Sequence, residues 1–191
     1  MARSTTSSFI TELPLKVDSN QEKQLSSRFQ AGRQLYNVCL NEAVVRMKLV
    51  RCSEPCKQAK KLNREKDKKQ RRELFKAARE QARFSDYELQ SFANLTAKSS
   101  KWIADNLDAQ SQQKLATRAF KAVERVLLGM AKQVRFKAIS RFKSVEGKSN
   151  KQGLRWLKNQ VIWCGLNIES IIDWNNTVIV QGLDSPIKYC R

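Results

Sequence analysis

Hydrophobic and polar positions change period along this chain. Over residues 9–17, Phe9, Thr11, Leu13, Leu15 and Val17 share one face, with Glu12 and Lys16 on the other. A period of two predicts a strand, and Pro14 places it at a sheet edge or a bulge. Residues 2–8 are small and polar and are expected to fray. Asp18-Ser19-Asn20 then offers helix caps. From 21 to about 50, Leu25, Phe29, Tyr36, Leu40, Val44 and Met47 recur at spacings that predict one long amphipathic helix. Gly32 weakens that helix by about 1 kcal/mol relative to alanine unless something packs closely against it.

Ser53-Glu54-Pro55 is a break, with Pro55 suited to the first turn of a second helix over 56–83. Ser85-Asp86-Tyr87-Glu88 has capping-box spacing and predicts a third helix that turns Leu89, Phe92 and Leu95 inward. Trp102, Ile103 and Leu107 close that region. Asp108 can cap a fourth helix, running to about 137 on Leu115, Ala119, Val123, Val126, Leu127, Met130 and Val134. Residues 144–153 read as a loop. Short runs rich in β-branched and aromatic residues follow at 154–164, 166–173, 177–181 and 187–190. The order strand, helices, strands predicts an α+β fold, mostly helical, with a helical block inserted into a small sheet or barrel. The expected division is 1–20, 21–138 and 139–191.

Charge sharpens this picture. The 191 residues carry 37 Lys+Arg against 18 Asp+Glu, a formal net charge of +19, and no histidine. Ser-His-Asp and Cys-His catalysis and His-ligated zinc are therefore excluded. The excess is uneven: residues 57–83 carry +8 and residues 139–158 carry +5. Concentrated cationic runs point to a polyanion, nucleic acid first and an anionic membrane surface second. The basic helix has no apolar face with which to enter a membrane.

Within 56–83, Lys57, Lys61, Arg64, Lys68, Arg71 and Arg72 recur at spacings of three and four, a basic stripe suited to phosphates. A solvated helix compensated by Glu65, Asp67 and Glu73 is the simpler alternative, and the overall charge favours phosphate contact. Further on, Arg135-Phe136-Lys137 and Arg141-Phe142-Lys143 interleave cations with aromatics. Such rings either stack on unpaired bases or enter the core and position the cations. Lys148, Lys151 and Arg155 extend this second cationic group.

Cys52-x-x-x-Cys56 lacks further zinc ligands. With Cys39, Cys164 and Cys190 it makes five cysteines, an odd number that, with no signal peptide, points to a reducing, cytoplasmic compartment. Glu169, Asp173 and Asp184 are the carboxylates near strand ends that a magnesium nuclease would need, and they form no recognisable set. Neither a metal nor another cofactor is expected.

Three stretches resemble the TnpB (OrfB-type) family of transposon-encoded, RNA-guided nucleases. They are the opening strand with Asp18-Ser19-Asn20-Gln21-Glu22-Lys23-Gln24-Leu25, Gly32-Arg33 and Leu35-Tyr36-Asn37; then Leu107-Asp108-Ala109-Gln110-Ser111 leading to Ala119-Phe120-Lys121-Ala122; then Arg141-Phe142-Lys143-Ser144. The resemblance implies an oligonucleotide-binding-like wedge barrel with an inserted helical recognition lobe. Together they would grip a guide RNA and its heteroduplex with DNA through the backbone. The family's nuclease and four-cysteine zinc modules lie beyond the region of resemblance, so the expectation is a prokaryotic, non-catalytic binding portion with an incomplete barrel. A separately encoded nuclease half is a further possible partner. The competing expectations are an active Mg²⁺-dependent transposase or endonuclease, and an inactive remnant.

Overall fold

Asp18 begins the longest element. Its carboxylate accepts from the backbone N–H of Asn20 and of Gln21, each at 2.8 Å, and the Gln21 side chain accepts from the Asp18 N–H at 3.0 Å. This reciprocal cap opens helix α1, Ser19–Cys52. In the computed structural model, which describes residues 9–191, α1 spans about 50 Å at the standard rise. Residues 2–8 lie outside the described residues. The buried face of α1 carries Leu35, Cys39, Leu40, Ala43, Met47 and Val50. Gly32 has its reason in packing: a Cβ there would stand 3.2 Å from the Phe142 ring.

The expected single helix over 56–83 is two helices, α2 (Glu54–Lys61) and α3 (Lys68–Gln81). Local polar side chains end the first one. Leu62 turns extended, the Asn63 side chain accepts from the N–H groups of Glu65 and Lys66, and Asp67 accepts from that of Asn63. Such bonds offer the backbone an alternative to the helix ladder.

Helix α4 (Asp86–Ser99) begins where expected, with the Ser85 hydroxyl accepting from the Glu88 N–H. Its buried face is Leu89, Ala93 and Ala97, so Leu95 lies on the far side and is 66% exposed, against expectation. A short helix α5 (Lys101–Asn106) leads to α6 (Ala109–Leu127). Helix α6 stops ten residues before the expected end. Gly129 takes φ +75°, Met130 N–H reaches back to the Arg125 carbonyl, and Met130 becomes solvent-exposed.

The sheet is open and antiparallel, in the order β1-β4-β3-β2. Strands β2 (Arg155–Leu157), β3 (Gln160–Trp163) and β4 (Leu166–Ser170) form a meander. Each hairpin turns on two residues of positive φ, Lys158-Asn159 and Cys164-Gly165, as type I′ geometry requires. The opening strand is shorter than its alternation implies: only β1, Leu15–Lys16, pairs with β4. The expected strand at 177–181 is instead helix α7, Thr177–Asp184. The Asn176 side chain accepts from the N–H groups of Val178 and Ile179 and starts it, so a strong cap prevails over weak β-branched preferences. Residues 187–190 form no strand, although the Cys190 carbonyl accepts from Gly147.

One apolar cluster joins helices and sheet. It runs from α1, α4 and α6 into Phe142, Val145, Leu154 and Trp163, past the expected boundary at 138. Asp108 is the polar joint. It accepts from the Ser111 N–H at 2.9 Å and hydroxyl at 2.6 Å, and from the Trp163 indole N–H at 3.1 Å. Gly153, at φ +69°, leaves room for it, since a Cβ there would lie 2.4 Å from Asp108 Oδ1. Asp108→Ala is expected to destabilise by about 2–4 kcal/mol, the loss of a helix cap plus an orphaned buried indole N–H. Asp108→Asn should cost roughly half as much because its amide oxygen still accepts. Urea denaturation of the two variants checks both values.

Candidate nucleic-acid interface

Helix α3 presents cations at helical spacing along one face. Lys68, Arg71, Arg72, Lys76 and Arg79 on α3, with Arg64 in the turn before it and Arg83 just after it, line a groove of about 1030 Å³ between α3, the start of α4 and α6. Phe75, Phe84 and Phe120 form its apolar lining, with the Phe84 and Phe120 rings 4.9 Å apart. Asp86, Glu88 and Glu124 supply the opposite wall.

The cations toward the C-terminal end of α3 are already paired. Arg79 meets Glu124, and Arg83 meets Glu88 at 2.8 Å. Lys76 lies 3.8 Å from Glu80 in an exposed pair, which solvent screens. Arg64, Lys68 and Arg72 are exposed and, among the described residues, have no carboxylate within 4.0 Å. The groove is therefore ion-paired toward the C-terminal end of α3 and cationic toward its start. That end can take phosphate oxygens without first breaking a salt bridge.

Of the sequence-derived stripe, Arg71 also borders the groove, but its guanidinium is already engaged. Its Nη1 donates to the Ala59 carbonyl at 2.6 Å and the Leu62 carbonyl at 2.8 Å, satisfying the end of α2. Its guanidinium also lies 5.5 Å from the Phe75 ring centre. Arg71 thus closes the α2–α3 hairpin. Lys57 and Lys61 are exposed on α2 and do not line the groove. Lys76, Arg79 and Arg83 were outside the stripe, although continued three- and four-residue spacing from Lys68 leads to them.

The second cationic group divides in the same way. Phe142 is a core residue, only 6% exposed, with its ring 6.2 Å from that of Tyr36. Arg118 lies near both rings and donates to the Ser144 carbonyl. A buried ring cannot stack on a base, so Phe142 takes the second of its two expected roles, entering the core between exposed cations, and is not itself a nucleic-acid contact. Arg141 and Lys143 on either side of it are exposed, as are Arg135 and Lys151. Lys137 is half-buried, with its backbone bonded to Asn37. Lys148 donates to the Gln113 side chain, and half-buried Arg155 to the Lys151 carbonyl, so Arg155 serves its own loop.

The three candidate carboxylates are dispersed by role. Glu169 sits opposite Lys16 in the sheet, Asp173 accepts from the Asn175 N–H in a turn, and Asp184 ends α7. Among the described residues, no three His, Cys, Asp or Glu side chains are placed to hold a metal ion. All five thiols are free: Cys39 and Cys56 are buried, Cys52 is exposed, and Cys164 and Cys190 lie between. Burial, reinforced by Glu42, pushes the Cys39 thiol up to about 12, and burial pushes Cys190 up to about 11. No described helix is long and apolar enough to cross a membrane. No protein-family model, curated protein or solved structure matches this chain.

Two stability measurements follow from this geometry. Arg71→Ala should cost about 1.5–3 kcal/mol, because charge-assisted bonds to the end of α2 are lost, while Arg72→Ala should stay within about 0.5 kcal/mol of the parent. Equal losses in chemical denaturation would refute the division of labour. The raised Cys39 value has a defined sign: the folded state keeps the thiol protonated while the unfolded state ionises from about 9. Stability should accordingly fall as pH rises from about 9 toward 12, and Cys39→Ala should fall less steeply.

Proposed function

We propose that this chain binds nucleic acid through its sugar–phosphate backbone and does not itself cleave it. The observation that carries the reading is the group Arg64, in the turn before α3, with Lys68 and Arg72 one turn apart on α3: all three are exposed, line the groove and, among the described residues, have no carboxylate within 4.0 Å. The formal charge of +19 supports it by raising the local concentration of any polyanion.

The finer reading is a guide-RNA and RNA–DNA heteroduplex binder similar to the N-terminal part of TnpB-type proteins. Its support is the chain order. A helical block stands between β1 and β2 of one sheet, the arrangement that a wedge with an inserted recognition lobe would have. In this reading the four-stranded sheet is part of an oligonucleotide-binding-like wedge. Base pairing supplies sequence, and cleavage belongs to a nuclease half outside these residues. The compartment is the prokaryotic cytoplasm.

The test uses salt. Each phosphate neutralised by a cation releases counterions, so affinity falls with salt in proportion to the number of contacts. Reversing Arg64, Lys68 and Arg72 to Glu should weaken RNA binding and flatten the log–log salt slope by about two to three. An unchanged slope would sink the assignment of this group. Sequencing the RNA that co-purifies with the chain addresses the finer reading: one discrete species is the expected result, and a random mixture that washes away in moderate salt would overturn it.

A further inference from the structure

The two matching triplets Arg135-Phe136-Lys137 and Arg141-Phe142-Lys143 part company in the fold. Phe142 is interior, whereas Phe136 is 56% exposed. The exposure is not slack in the chain. The Asn37 side chain on α1 donates to the Lys137 carbonyl at 3.0 Å and accepts from the Lys137 N–H at 2.8 Å. Both backbone groups of Lys137, the residue after Phe136, are thereby fixed to the longest helix. On its other side Val134 packs against the core. A large ring is thus held outward on an anchored main chain, where simple burial would have been the more stable use of it.

The composition of the chain on either side says what would cover the ring. Between Glu124 and Glu146 there is no acidic residue, while Lys132, Arg135, Arg141 and Lys143 are all exposed cations. A partner suited to this segment brings negative charge together with an apolar face. A phosphate backbone with an unpaired base has both. A duplex has the charge alone, because its bases are already stacked on one another.

We propose that Phe136 is a stacking platform for an unpaired base of a single-stranded nucleic acid segment, with Arg135 and its cationic neighbours holding the flanking phosphates. This rests on the nucleic-acid reading above and adds a second, strand-selective contact surface to the groove beside α3. Stacking releases no counterions, so it adds affinity without adding to the salt dependence.

The experiment compares the parent chain with Phe136→Ala, Phe136→Leu and Phe136→Trp on three probes: a short oligouridine, an oligothymidine of equal length and a blunt RNA duplex. Phe136→Ala and Phe136→Leu should weaken oligouridine binding by roughly 5- to 100-fold, leaving duplex affinity and the salt slope unchanged. Phe136→Trp should retain or improve binding. A similar loss on oligothymidine assigns the contact to the base alone; a loss confined to oligouridine adds a ribose contact. Equal binding by Phe136→Ala and the parent, or an equal loss on single strand and duplex, would overturn the proposal. A parent that binds none of the probes at low salt overturns the nucleic-acid reading as well. A parent that is sensitive to Arg64, Lys68 and Arg72 reversal but not to Phe136 loses only this inference. Unchanged melting temperatures establish that the exposed position does not act through folding.

Discussion

The carboxylate of Asp108 is where the two halves of this molecule are fastened. It caps α6 through Ser111 and holds the indole of Trp163 on β3. A charged group can sit at this joint because its neighbours are donors: a helix N-terminus, a hydroxyl and an indole N–H. Trp163 then carries the connection into α1. Its ring meets Phe29 edge-on at 6.0 Å, and the Arg28 guanidinium lies 5.7 Å from its centre. Buried Arg28 donates to the Cys164 carbonyl in the β3–β4 turn, and Gln21 donates to that of Asn167. Without Asp108, β3 would still touch α1, but α6 would have no directional bond to the sheet through that carboxylate.

Helix α1 distributes this anchorage along its length. Its first turns hold the sheet, Gly32 admits the Phe142 ring, Asn37 fixes the segment after α6, and Arg51 donates to the carbonyl of Val126 at the end of α6. The two cationic surfaces are consequently mounted on one spine. One reaches it through the α2–α3 hairpin, which Arg71 closes; the other is pinned directly at Lys137.

The sequence was legible where a signal is local and unopposed. The caps at Asp18, Ser85 and Asp108, the long α1 and the break at Gly165 all depend on residues within a few positions of one another, whereas the single run expected over 154–164 is two strands parted by a turn at Lys158-Asn159. Legibility failed where two local signals compete. Residues 177–181 have strand composition, but Asn176 supplies a helix cap. Residues 62–67 contain good helix formers, but Asn63 and Asp67 bond the backbone into a turn. Met130 continues an apolar period that Gly129 has already ended. The site was half legible for a related reason. Periodicity finds the cations that share a face, and it cannot say which of them a distant carbonyl or carboxylate will claim. Phe136 and Phe142 have the same neighbours in sequence, and only tertiary packing tells them apart.

That claim on arginines changes what the net charge means. Arg28, Arg46, Arg51, Arg71, Arg118 and Arg155 each donate to a backbone carbonyl. Several of those carbonyls stand at the ends of helices, where the ladder leaves them without partners. A guanidinium used in this way keeps its charge, so it still contributes to the long-range field that draws a polyanion in. It has fewer donors left for a phosphate at contact. Encounter and contact therefore depend on different residues: the whole excess of cations sets the field, whereas the short list of exposed, unclaimed side chains sets the bound register. A composition of +19 measures the first quantity, and only the fold reveals the second.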